Sequence, residues 1–191
     1  MRRFVLACAW LAFGAMSAAP AFAGGRLEVS VLGGGRGRYA WDSHAPHAGG
    51  SYGGVLEYLP TPRLGVAFGV VQTTYDLGHH DGAASATEFA LTLRGHLAPE
   101  ARVAPYATWG LAAYRLRERK VDYSRIDSSG FPLEEENRMA YGSQAGLGFE
   151  FPMVGAIRLA IEGQFHMIAS VDAGGGELAG FARITAPLVG R

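Results

Sequence analysis

The chain has 191 residues with 17 basic and 17 acidic side chains, and 49% of its residues are hydrophobic. This balanced charge provides no basic surface for nucleic acid, so we expect no nucleic-acid partner. The only cysteine is Cys8. Its place near the start leaves the rest of the chain without a thiol, a disulfide or a cysteine-based metal site.

The first 23 residues have the layout of a secretory signal peptide. The segment MRRFVLACAWLAFGAMSAAPAFA has a basic start, an apolar run and a small-residue end. The apolar run is shorter than the roughly 20 residues that a membrane-spanning helix needs. We therefore predict cleavage after Ala23, which leaves 24–191 as a single domain.

Eight segments follow in which apolar residues alternate with small or polar ones, and this period of two is typical of β-strands. In chain order they are RLEVSVLG, SYGGVLEYLP, RLGVAFGVVQTTYD, TEFALTLRGHLAPE, RVAPYATWGLAAYRLR, MAYGSQAGLGFEF, AIRLAIEGQFHMI and ELAGFARITAPL. No helical periodicity of useful length interrupts them. The sequence predicts an all-β protein of eight strands.

Short and long connections alternate along the chain. The short ones, LPTPR, LAPEA and PMVGA, contain proline, and the longer ones are rich in Gly, His, Asp, Ser or Glu and cover about 33–50, 77–85, 118–137 and 170–176. This alternation is typical of an up-and-down antiparallel sheet with tight turns at one end and loops at the other.

The composition of the two strand faces indicates which face is inside. One face is large and apolar, while the other carries Gly and Ala with isolated charges. The outer surface of a soluble barrel would be rich in Lys and other long polar residues, but Lys120 is the only lysine. Small residues with charges of both signs suit a narrow lumen. We therefore predict that the apolar face lies in lipid, with interfacial aromatic residues at Tyr58, Trp109, Tyr141, Phe149 and Phe151; the alternative is a soluble secreted β-barrel.

Two segments carry a resemblance to a known family. PYATWGLAAY at 105–114 and SQAGLGFEF at 143–151 are similar to strands of the OmpA/OmpX-like outer-membrane barrels, which include opacity-protein-like surface antigens. The resemblance covers 24–191 and implies an eight-stranded antiparallel transmembrane barrel with short periplasmic turns, four longer extracellular loops and a location in the outer membrane. The chain departs from the family in ending PLVGR, where members commonly end on an aromatic residue.

Charged residues on the small-residue face are the first candidate site. Three arginines and four glutamates of this face are expected to meet across the lumen: Arg94, Arg158, Arg183, Glu57, Glu88, Glu150 and Glu162. Unpaired charges are costly in a confined interior, so we predict a structural network of ion pairs. The alternative is a small pore lined by the same groups, but an eight-stranded barrel is only wide enough for its own side chains.

Histidines in the predicted loops are the second candidate site. His79, His80 and Asp81, together with His44 and His47, have side chains that bind Zn²⁺ or Cu²⁺. We interpret them as polar loop residues and predict no metal and no cofactor.

Lipid A deacylases, which are also eight-stranded outer-membrane barrels, suggest a third candidate site of His, Ser and Glu. The available residues are His166, Ser170 and Glu177. In that family His and Ser lie two residues apart on one strand face, whereas position 168 is Ile in this chain. Four residues along a strand span about 13 Å, beyond hydrogen-bond reach. We predict no catalytic activity, with this hydrolase as a further alternative.

The predicted function is structural or surface interaction, through adhesion or envelope integrity. The expected partners are outer-membrane lipid or lipopolysaccharide, the barrel-assembly machinery during insertion, and an unknown surface ligand. Charged residues are dense at 118–137, and long loops on a rigid scaffold often bind partners. We expect the ligand to contact the loops at 33–50 and 118–137.

Overall fold

A computed structural model of the protein describes residues 25–40, 47–76, 83–121, 133–169 and 175–189. They form eight strands: β1 (Arg26–Ala40), β2 (His47–Thr61), β3 (Leu64–Asp76), β4 (Ala83–His96), β5 (Ala104–Val121), β6 (Leu133–Pro152), β7 (Arg158–Ala169) and β8 (Gly175–Val189). The predicted signal peptide lies outside the described residues and stays a prediction.

The eight strands close into one barrel in which neighbours along the chain are neighbours in space. All pairs are antiparallel, and β1 closes the barrel against β8, with Val31 opposite Ile184. A closed sheet has no edge, so the ladder satisfies the backbone groups of every strand. Among the described residues, no helix is long and apolar enough to cross a membrane. The predicted up-and-down eight-stranded fold is confirmed.

The strands are longer than the sequence indicates, and the predicted loop bounds are wrong. β1 and β2 occupy most of 33–50, since Arg38 still pairs with His47. β5 and β6 similarly take both ends of 118–137, with Val121 opposite Leu133. Glycine and charged residues suggest loops in a sequence, but ladder hydrogen bonds join backbone atoms and continue regardless of the side chains.

Side chains alternate between the lumen and the exterior as predicted. Tyr106 and His166 are almost fully buried, whereas Trp109 is 55% and Leu147 70% exposed. Soluble monomers rarely expose contiguous apolar surfaces of this extent, so the exterior suits lipid. The most exposed apolar side chains include Val31, Leu91, Leu111, Leu147, Ile161 and Met167.

The turns at one end of the barrel are compact, and we call this the short-turn end. In the β2–β3 turn the hydroxyl of Thr61 accepts hydrogen bonds from the backbone N–H groups of Arg63 and Leu64. In the β6–β7 turn Gly155 has a φ of 61°, a left-handed conformation that favours glycine. The connections at the opposite, long-connection end lie outside the described residues.

Candidate functional site: the barrel lumen

Among the described residues, three groups of charged side chains fill the lumen. The first, which we call the rim cluster, lies at the short-turn end. Arg158 forms ion pairs with Glu28 and with Glu150, the latter at 2.6 Å. Arg26 also contacts Glu28, at 2.5 Å, and His96 lies 3.5 Å from Glu150. These residues come from the ends of strands that meet at the short turns, which brings them together at the lumen entrance.

The central cluster is built around Arg94 and Glu57, which lie 2.5 Å apart. Arg183 lies 3.8 Å from the same carboxylate, and Glu162 lies 3.9 Å from Arg94. The guanidinium of Arg94 also lies over the ring of Tyr106, 4.6 Å from its centre. The Arg94–Glu57 pair joins β4 to β2 across the lumen, so it braces strands that are not neighbours.

Glu162 is held by two further donors in the central cluster. The hydroxyls of Tyr106 and Thr108 donate hydrogen bonds to its two carboxylate oxygens, each at 3.0 Å. Charge-assisted hydrogen bonds of this kind are stronger than neutral ones. Glu162 is therefore positioned by β5 in addition to its ion pair with Arg94.

The upper cluster lies towards the long-connection end. Arg36 forms ion pairs with Glu88 and, at 3.4 Å, with Glu177. The hydroxyl of Tyr75 donates a hydrogen bond to Glu177 at 3.1 Å. Arg36, Glu88 and Glu177 are each no more than 2% exposed, so these charges are paired inside the lumen.

His166 connects the upper cluster to the central one. The hydroxyl of Tyr114 lies 3.0 Å from its Nδ1, and the side-chain oxygen of Gln164 lies 3.0 Å from its Nε2. Nε2 also lies 3.4 Å from the guanidinium of Arg36, which belongs to the upper cluster. The amide of Gln164 in turn donates to Glu162 at 2.8 Å. A polar chain thus runs along the lumen from Tyr114 to the central cluster.

A small cavity lies within the lumen, and its lining contains both apolar and polar side chains. The cavity has a volume of about 40 Å³ and lies between Glu88 on one side and Arg94 and Arg183 on the other. Val71 and Phe181 pack together in its wall. A volume of this size holds only a few water molecules.

All seven residues of the predicted network face the lumen, but they fall into different clusters. Six of them divide between the rim cluster, with Glu150 and Arg158, and the central cluster, with Glu57, Arg94, Glu162 and Arg183. Glu88 lies apart from them and pairs with Arg36. The structural role of the network stays a prediction.

Several lumen residues were missing from the predicted network, and their strand positions could have revealed them. Arg36 falls in the wrongly predicted loop at 33–50, yet it lies an even number of residues from Glu28 and so shares its face. Tyr114 and Tyr106 are related in the same way on β5. Residues an even number of positions apart on one continuous strand share a face, and this spacing could have identified them.

The geometry does not favour the hydrolase alternative. His166 is 0% exposed, and both its ring nitrogens have partners inside the lumen. An acyl chain on the outer surface would have to cross the barrel wall to reach it. Ser170 lies outside the described residues.

The metal hypothesis rests on residues that lie mostly outside the described part of the chain: His44, His79, His80 and Asp81. The side chain of His47 is likewise not described. Within the ranges that the structure describes, no group of three or more His, Cys, Asp and Glu side chains could hold a metal ion.

Comparisons with solved structures give the class of this barrel. Neisserial surface protein A has a TM-score of 0.61 at 16% identity, covering 84% of this chain and 98% of that one. Ail, the attachment invasion locus protein of Yersinia pestis, has a TM-score of 0.53 at 13% identity, covering 84% and 99%. The outer membrane enzyme PagL has a TM-score of 0.50 at 14% identity, again covering 84% and 99%.

No protein-family model and no curated protein sequence shows significant similarity to the chain. The class therefore rests on the fold, which is that of the small eight-stranded outer-membrane barrels. The resemblance to OmpA/OmpX-like barrels is confirmed at this level. An outer-membrane location is the one that this fold and the apolar exterior support.

Proposed function

We propose that the protein is a closed outer-membrane barrel, without catalytic activity, whose role is structural or surface interaction. The observation that carries the proposal is the filled lumen: among the described residues, three clusters of paired charges occupy the interior around a cavity of about 40 Å³. An open pore requires a continuous aqueous path, and these clusters interrupt it. The long-connection end faces outward in this proposal and presents the surface loops to a partner.

The name of Ail, an attachment protein, supports a surface-interaction role, while PagL shows that the same fold can host an enzyme. The predicted ligand contacts at 33–50 and 118–137 remain a prediction, and the connections within these ranges, 41–46 and 122–132, lie outside the described residues. Catalysis is not proposed because His166, the histidine of the suggested set, is enclosed in the lumen.

Gel mobility is the direct test of the membrane barrel. Closed barrels resist detergent at room temperature because their backbone hydrogen bonds are internal. We expect the protein to be in the outer-membrane fraction and to migrate differently before and after heating. Recovery as a soluble periplasmic protein without such a shift would contradict the proposal.

Conductance tests the closed lumen. In planar bilayers, the purified protein is expected to give almost no steady single-channel current. Large, steady currents would establish the pore alternative.

For the hydrolase alternative, the acylation of lipid A is compared in cells with and without the gene, and we expect no difference.

Arg158→Ala is expected to lower the free energy of unfolding while conductance stays near zero. Arg158 bridges Glu28 and Glu150, but its side chain is 21% exposed. Solvent screening therefore reduces the expected loss to about 1–2 kcal/mol. Urea unfolding of vesicle-inserted protein measures it, and Arg102→Ala at the same barrel end is the exposed control. Equal unfolding midpoints for the two variants would show that the rim cluster is not stabilising.

A further inference from the structure

Polar side chains replace the apolar exterior of β3–β6 abruptly near the long-connection end. Residues that pair across neighbouring strands form a row on the exterior. The last apolar row across these strands is Val70, Phe89, Ala113 and Tyr141. The next two rows, which we call the polar band, are Gln72, Thr87, Arg115 and Met139, followed by Thr74, Ser85, Arg117 and Asn137. Met139 is the one apolar member of these two rows, and the change from mainly apolar to mainly polar side chains indicates a boundary of the membrane.

The height of the polar band agrees with that boundary. Arg115 lies ten residues along β5 from Pro105, which is close to the short-turn end. A tilted strand of about nine to eleven residues crosses the hydrocarbon layer. Trp109 and Leu111 occupy the lipid-facing positions between them. With the long-connection end facing outward, as proposed above, Arg115 lies at the level of the lipid headgroups of the outward leaflet.

Two arginines of the polar band point outward side by side. Tyr114 and Leu116 face the lumen, where they pack in one apolar cluster, so Arg115 and Arg117 face the exterior. Residues two apart on a strand are separated by about 7 Å. The two like charges therefore repel each other, and an anion placed between them is attracted to both.

These arginines have no anionic partner in the described part of the chain. Neither Arg115 nor Arg117 forms an ion pair or hydrogen bond there, and the Nε of Arg115 is buried without an acceptor. Leaving such a donor unsatisfied costs free energy. The hydroxyl of the adjacent Thr87 donates to Gln72 at 2.6 Å and accepts no hydrogen bond from Arg115, so the guanidinium is free to bind an acceptor from outside the barrel.

We propose that the polar band binds a phosphate group of an outer-leaflet glycolipid of the lipid A type. Guanidinium groups bind phosphate through paired, charge-assisted hydrogen bonds. The acyl chains of the same lipid would lie on the apolar rows directly below, against Phe89 and Leu111. This continuity with the lipid-facing surface favours a lipid phosphate over a soluble anion. The inference rests on the proposed membrane location and adds a specific lipid contact to it.

The test compares two lipids on the folded protein in a zwitterionic detergent. Native mass spectrometry measures the affinity for bis-phosphorylated lipid A and for the same lipid after removal of its phosphates. We expect the phosphorylated form to bind about tenfold more tightly. The double variant Arg115→Gln/Arg117→Gln is expected to lose this difference. The control variant Arg63→Gln/Arg102→Gln makes the same charge change in the turns at the opposite end. It is expected to keep the difference in affinity between the two lipids.

Equal affinity of the two lipids, or a double variant that keeps the difference, would overturn the proposal. Excess inorganic phosphate is expected not to compete; full displacement of the lipid would identify a free-phosphate site and also overturn it. Heat-modifiable mobility establishes that each variant is folded, and Arg117→Gln alone, at an exposed position, replaces the double variant if that one does not fold. Because this binding is measured in detergent, its failure is distinct from a failure to locate in the outer membrane.

Discussion

Arg94→Met is expected to lower the free energy of unfolding by about 3–5 kcal/mol, the cost of removing one partner from a buried ion pair. Glu57 is fully buried and loses the guanidinium 2.5 Å away. Arg183, at 3.8 Å, is then its remaining cation within the central cluster. Methionine fills most of the volume of the arginine stem. The loss of unfolding free energy therefore reflects the missing charge rather than a large cavity. Urea unfolding of vesicle-inserted protein, followed by tryptophan fluorescence, gives the value.

A second substitution separates the charge effect from packing. Arg94→Met/Glu57→Gln removes both charges of the pair, and neutral replacements of buried pairs are often tolerated. We expect the double variant to recover much of the stability that Arg94→Met loses. Arg102→Met, at an exposed turn position, should change stability by no more than about 0.5 kcal/mol. A loss for Arg94→Met as small as that of Arg102→Met would mean that the central cluster does not stabilise the barrel.

The faces of the strands could be predicted because side-chain direction on a strand depends only on odd or even position. In TEFALTLRGHLAPE, Leu91 and Leu93 are outward, whereas Glu88, Arg94 and His96 are buried, as the pattern predicts. The same parity holds along β7, where buried and exposed residues alternate. Fold class followed from eight such segments joined by alternating short and long connections.

The partners of the lumen charges could not be predicted in the same way. Parity places Arg94 and Glu57 in the lumen, but they lie on strands that are not neighbours, and contact between them depends on the stagger and diameter of the closed barrel. Those quantities are properties of the whole sheet. Glu88 illustrates the consequence, because its partner Arg36 lies in a glycine-rich segment that the sequence suggested was a loop.

Gly148, on the small-residue face, is the second position where we expect a substitution to lower the stability of the barrel strongly. The carbon of a methyl group there would lie 2.5 Å from the hydroxyl oxygen of Tyr106 and 2.9 Å from the backbone oxygen of Ile161. Tyr106 has little freedom to move, since its hydroxyl bonds Glu162 at 3.0 Å and Arg94 lies over its ring. Gly148 thus makes room for the aromatic ring that supports the central cluster.

Gly148→Ala is therefore expected to lower the free energy of unfolding by about 1–3 kcal/mol, the usual cost of overpacking a tight interior. The matched control is Gly95→Ala on β4, where an added methyl group would meet no atom within 4 Å. Alanine is less flexible than glycine in the unfolded chain, so the control should be neutral or slightly stabilising. Urea unfolding midpoints of the two variants in vesicles decide the question. If they coincide, Tyr106 can move aside at little cost, and the central cluster does not depend on the fixed position of its ring.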